Sequence, residues 1–136
     1  MKEITVPANL DNIAVVTGFI NSELETTGCS EHNLIQIDVA VDEVFGNIAK
    51  YAYGREEGSV SIRVDVSGNP SAVSITFIDH GIPFNPLDSK PPDTTLKAKE
   101  RQIGGLGIFM TRKIMNDVSY EYKDESNQLT IRKVIR

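Results

Sequence analysis

The sequence predicts an α+β fold: a two-layer sandwich of about three helices on a mostly antiparallel mixed sheet, formed as one domain over residues 1–136. Three observations carry that expectation. Two long stretches near the N-terminus place apolar residues at helical spacing. Several short segments alternate apolar and polar residues, with turn residues between neighbouring members. The first two helical stretches stand together, and a third follows a long proline-rich connection, which is the grouping of an α+β architecture.

Taken in order, residues 3–7 read as a first strand with Ile4 and Val6 on one side. Leu10, Ile13, Val16, Phe19, Ile20 and Leu24 give helical spacing over residues 10–26, with Asn9 as N-cap and Gly28 as the stop. The Ser30 hydroxyl is placed to cap a second helix, which runs to about Tyr53 and is ended by Gly54. Its apolar positions Ile37, Val41, Val44, Ile48 and Tyr51 step by four and three, an amphipathic face. Val60, Ile62, Val64 and Val66 alternate with Ser61, Arg63 and Asp65; Gly68-Asn69-Pro70 then turns the chain into Val73, Ile75 and Phe77, ending at Asp79. Residues 82–103 read as a lid: Pro83, Pro86, Pro91 and Pro92 exclude regular structure, and a connection this long inside a domain usually closes over a site. Gly104-Gly105-Leu106-Gly107 opens a third helix carrying Ile108, Met110, Ile114 and Met115. Residues 118–122 and 129–135 read as a closing hairpin, turned through Asp124-Glu125-Ser126-Asn127.

Composition removes several function classes. Net charge is −5, and no run of Lys or Arg forms a basic stripe, so direct nucleic-acid binding and attachment to an anionic membrane surface are not expected. Cys29 is the lone cysteine, and its neighbours Gly28, Ser30 and Glu31 offer no basic partner for a reactive thiol. His32 and His80 lack zinc-ligand spacing with it. Neither a signal peptide nor a membrane span is visible, so a cytoplasmic setting is expected.

Three pieces carry chemistry. Glu43 and Asn47 lie four residues apart, on one face of the second helix, and Tyr51 extends that stripe. An amide oxygen at Asn47 suits Mg²⁺, and the Glu43 carboxylate suits proton acceptance beside it; the pair is also common on the wet edge of ordinary helices. Asp79-His80-Gly81-Ile82-Pro83-Phe84 ends an apolar strand on a carboxylate followed by glycine. That carboxylate can accept from the exocyclic amine of adenine, and Gly81 lets backbone approach the ring; the same residues also make a plain turn. Gly104, Gly105 and Gly107 lie at a helix start, where free backbone N–H groups and the positive helix end favour phosphates. Lys97, Lys99 and Arg101 stand just before them, as added charge for the same anion or as solvated hinge residues.

In this order the three pieces resemble the GHKL, or Bergerat, ATP-binding fold. Residues 41–51 look like its N box, residues 79–86 its first glycine box and residues 104–108 its second. The resemblance covers essentially the whole chain and is closest to the stand-alone anti-sigma-factor serine/threonine kinases. It implies ATP and Mg²⁺ as ligands, Glu43 as general base, Asn47 as metal ligand and Asp79 as adenine contact. It also places Gly81 against the base, Arg101, Gly104, Gly105, Leu106 and Gly107 around the phosphates, and the Thr130 hydroxyl near adenine. Two positions depart from the family pattern. Pro83 stands where many members have glycine, and Tyr51 where the N box often ends in histidine.

The function this implies is phosphoryl transfer to a serine or threonine of a small anti-sigma antagonist protein, with a sigma factor as second partner and a homodimer as the assembly. A non-catalytic module, in which ATP orders the lid and changes affinity for a partner, competes with it. Glu43 discriminates, because transfer needs a base and gating does not. A histidine kinase half is disfavoured, since no helical hairpin bearing a phosphoacceptor histidine precedes the domain. A gyrase-like ATPase is disfavoured as well, since no second domain follows to supply a lysine.

Overall fold

The computed structural model describes residues 1–54, 56–68, 71–88 and 106–135. Strand β1 (Lys2–Pro7) leads through a 3-10 turn (Leu10–Asn12) into α1 (Ile13–Leu24), followed by α2 (Glu31–Asn47) and a π-helical turn (Ile48–Ala52). Then come β2 (Ser59–Ser67), β3 (Ala72–Asp79), a second 3-10 turn (Pro86–Asp88), α3 (Leu106–Ile114), β4 (Asp117–Lys123) and β5 (Ser126–Val134). The five strands form one sheet in the order β1-β2-β3-β5-β4. Every pairing is antiparallel, so the expected mixed character is absent among the described residues. The β4–β5 hairpin decides this, because it brings β5 rather than β4 back beside β3, running against it.

Period-two alternation sets one sheet face against the helices. Register aligns residues of that face into rungs, of which Ile4–Ile62–Phe77–Leu129–Tyr120 is one and Val6–Val60–Asp79–Asn127–Tyr122 the next. Over this face α1 buries Val16, Ile20 and Leu24, and α2 buries Ile37, Ala40, Val41, Val44 and Phe45. Ile108 and Met115, in α3 and just past it, join the same core. The opposite sheet face is polar, with Thr5 paired to Ser61 and Arg63 to Glu3.

Local chemistry accounts for most element ends. Ser30 accepts from the Asn33 backbone N–H at 3.1 Å and so caps α2. Gly28 and Gly54 take positive φ, as a helix stop requires. Asn9 caps as well, but it caps the 3-10 turn, accepting from Asp11 N at 2.8 Å; α1 itself starts at Ile13. The expected single helix over residues 10–26 is therefore two pieces. The long second helix also divides, since its last turn widens to a π turn after Asn47. At the end of that turn the Ala52 carbonyl accepts from the Ile82 N–H at 2.7 Å, which satisfies a helix-terminal carbonyl. Prolines did not exclude all order after β3: Asn85 caps the Pro86–Asp88 turn through Leu87 N at 2.9 Å. The rest of the predicted lid, residues 89–103, lies outside the described residues.

Candidate functional site

Between α2 and the helix-covered sheet face lies a cleft of about 250 Å³. Its walls are mainly apolar: Val44, Ile48 and Ala52 from the helix side, Leu129 from β5, Ile82 and Phe84 from the loop after β3, and Ile108 from α3. Among these stand the polar groups of Asn47, Asp79, Asn127 and the tyrosines Tyr51 and Tyr120. An apolar slot with a few convergent polar atoms is the usual form of a small-molecule site.

Asp79 is the last residue of β3 and is 4% exposed. Its Oδ1 accepts from Gly81 N and from Asn127 Nδ2, each at 2.9 Å. No described residue bonds Oδ2, so this oxygen remains as an acceptor on a side chain that lines the cleft. Around it the loop is tightly tied. Tyr53 donates its hydroxyl to Ser59 O at 2.5 Å and accepts from His80 N at 2.8 Å.

Gly81 has a packing reason beside the one the sequence suggested. A Cβ built on it would collide with the carbonyl of Ala52, so glycine is required for the loop to pack on the end of α2. Gly81 does not line the cleft. On α2, Asn47 does line it, half-buried, while Glu43 one turn earlier is exposed and reaches α3. The Glu43 carboxylate occupies the space that a Cβ on Gly107 would take. The carboxylate, the amide and the first turn of α3 are thus brought together along one edge of the cleft.

Thr130 is placed away from that group. Its side chain alternates with Leu129 and lies on the other sheet face, where its hydroxyl pairs with that of Thr76 at 2.9 Å. Strand periodicity makes this unavoidable once Asn127 and Leu129 face the cleft. Leu106 opens α3; Arg101, Gly104 and Gly105 lie outside the described residues.

Asn127 and Tyr120 are the site residues that the sequence reading passed over. The turn expected over Asp124-Glu125-Ser126-Asn127 is only Asp124-Glu125, both at positive φ, and Ser126 already pairs with Lys123. Counting back by twos from Ile131 through Leu129 reaches Asn127 on the inner face, which was the available signal.

Outside the cleft, burial pushes the Cys29 thiol above its ordinary value, opposed by Lys133 and reinforced by Asp38, so this thiol is not activated. No described cluster of His, Cys, Asp and Glu has the makings of a metal site. No helix among the described residues is long and apolar enough to cross a membrane.

Comparison with known proteins agrees with this fold. The family model of the histidine kinase-like ATPase domain matches residues 6–133. The serine-protein kinase RsbW of Bacillus cereus (strain AH187) is 24% identical, covering 98% of this chain and 84% of the relative. That of Listeria monocytogenes serovar 1/2a is 26% identical, covering 97% and 85%. Among solved structures, the RsbU and RsbW domains of Rv1364c from Mycobacterium tuberculosis superpose on 98% of this chain with a TM-score of 0.61 at 13% identity. The match takes up 32% of that longer chain and speaks for the fold. With the family model spanning nearly the whole sequence over an α+β sandwich that carries this cleft, the chain belongs to the histidine kinase-like ATPase domain family.

Proposed function

We propose that this protein is a Mg-ATP-dependent serine/threonine protein kinase that acts as an anti-sigma factor, phosphorylating a small antagonist protein in a partner-switching system. The observation that carries the reading is the Asp79 carboxylate, fixed through Oδ1 and open at Oδ2 within an apolar cleft. A 6-amino purine offers a donor to that oxygen. A 6-oxo purine would oppose it with a second acceptor and leave both unpaired.

The remaining residues fit the rest of the nucleotide. Free backbone N–H groups at the start of α3 favour phosphates, yet the Glu43 carboxylate packed against Gly107 repels them. A divalent cation removes that conflict, and the Asn47 amide oxygen is a hard ligand suited to hold it. When bound, Mg²⁺ supplies charge neutralisation to the phosphates. Glu43 is exposed, so an incoming hydroxyl can reach it, as a general base requires. The similarity to serine-protein kinases supports a protein hydroxyl as acceptor. A sigma factor as second partner, a homodimer and a cytoplasmic setting belong to the proposal through the resemblance of the three sequence motifs.

The test is calorimetry of Mg-ATP binding together with phosphate transfer to candidate antagonist proteins. Asn47→Ala is expected to weaken Mg-ATP binding. Glu43→Gln is expected to retain binding and lose about 10²-fold or more of transfer. Transfer by Glu43→Gln at the wild-type rate excludes Glu43 as base. Binding without transfer to any candidate, with partner affinity that follows ATP, replaces the kinase by an ATP-gated binding module.

A further inference from the structure

We infer that Asn127 sets the base selectivity of the cleft by holding Asp79 as a one-sided acceptor; this rests on the adenine-pocket reading above. Two backbone groups that cannot change their hydrogen-bonding role fix its carboxamide. The Phe84 N–H can only donate, and it meets Asn127 Oδ1 at 3.1 Å. The Ile82 carbonyl can only accept, and it meets Asn127 Nδ2 at 3.0 Å. A flipped amide would set donor against donor and acceptor against acceptor at both places, so one orientation remains.

That orientation leaves one further Nδ2 proton, which goes to Asp79 Oδ1 at 2.9 Å, and one further lone pair on Oδ1, which takes the Tyr120 hydroxyl. All four hydrogen-bonding capacities of a side chain only 6% exposed are therefore used. Such fully satisfied buried networks specify one arrangement, and partial ones are costly. Register supplies the placement, since Asn127 of β5 is the direct cross-strand partner of Asp79 in β3.

At Asp79 the result is asymmetry. Oδ1 is saturated by the Asn127 amide and the Gly81 N–H, and Oδ2 alone is left toward the cleft. Asn127 is thus a positioning residue: it reads the rigid loop backbone on one side and imposes an acceptor role on Asp79 on the other. Its effect is on which purine edge the site admits. A carboxylate at position 127 would oppose both Ile82 O and Asp79 Oδ1, and only uptake of a proton would relieve that. One proton can meet only one of those two acceptors, so Asp79 Oδ1 is no longer held in the single arrangement that the amide imposes.

The experiment compares Mg-ATP with Mg-ITP, which carries a 6-oxo group in place of the amine, by calorimetry between about pH 5.5 and about pH 8. Wild type is expected to prefer ATP by about tenfold or more across this range. In Asn127→Asp, ATP binding is expected to fall about tenfold and the ATP-over-ITP preference to shrink with it, because Asp79 is no longer held as a one-sided acceptor. In Asn127→Ala, affinity and preference both fall as well. A purely structural role would lower affinity for both nucleotides and leave their ratio unchanged. Should the variants fail to fold, the wild type still decides: the Asn127 side-chain amide protons must exchange slowly in NMR spectra, with ATP bound and without. Free-amide exchange rates, or variants that keep the wild-type ratio at every pH, overturn the inference alone. A folded wild type that binds neither nucleotide overturns the adenine-pocket reading and this inference with it.

Discussion

Gly81 and Asp38 show how a single side chain, or its absence, is decided by what it meets. At Gly81 the Ala52 carbonyl fills the place of a Cβ, and that carbonyl is held by the Ile82 N–H at 2.7 Å. Neither backbone can shift without breaking this bond, so Gly81→Ala is expected to destabilise by about 1–3 kcal/mol, measured by urea unfolding. Nucleotide binding should weaken with it, because the same loop carries the Asp79 partner N–H. Asp38 lies on α2 with one carboxylate oxygen buried and unbonded among the described residues, as is the Asn21 Oδ1 of α1. Burial pushes its carboxyl above the usual aspartate range, with Asp42 adding to the rise and a hydrogen bond from Asn21 opposing it. The folded state then holds the proton more tightly than the unfolded chain. Asp38 consequently costs stability above its folded pKa, and the cost disappears as pH falls toward the unfolded value of about 3.9. Asp38→Asn is expected to raise the melting temperature near pH 7, with the gain shrinking toward about pH 4 in a series of thermal melts.

Among the elements, α2 does the most, since one face builds the core and another edge carries Glu43 and Asn47. Its start is local chemistry, so Ser30→Ala is expected to cost about 1 kcal/mol without changing the urea m-value, which would separate a lost cap from a changed unfolded state. Its end is not local. Ile48 and Tyr51 continue the helical pattern, and nothing in residues 48–52 announces a π turn. The Ala52 carbonyl at its end accepts from Ile82, on a loop thirty residues further along. The β4–β5 turn misled for a related reason. Asp, Glu, Ser and Asn are all tolerated in turns, so composition does not say which two of four residues form it. Positive φ at Asp124 and Glu125 settles the count at two and moves Asn127 into the sheet.

At the scale of the molecule, the helices press on a sheet whose inner rungs run through β3 and β5, with β1 and β4 at the edges. Phe77 sits on the central strand with no exposure, so Phe77→Ala is expected to cost about 3–5 kcal/mol in chemical denaturation. The same layout brings the cleft together from residues distant in sequence: Asn47, Asp79 and Asn127 meet only because α2 lies over the β3–β5 pair. By itself, the sequence determined the α+β class, the approximate extents of the strands and helices, and the Glu43, Asn47 and Asp79 stretches, because hydrophobic period and short motifs are local properties. Tertiary structure alone decided the wholly antiparallel strand order, the packing role of Gly81, the outward turn of Thr130 and the inward turn of Asn127. Each of those depends on which backbone lies opposite which, and a one-residue change of strand register reverses every side chain it carries.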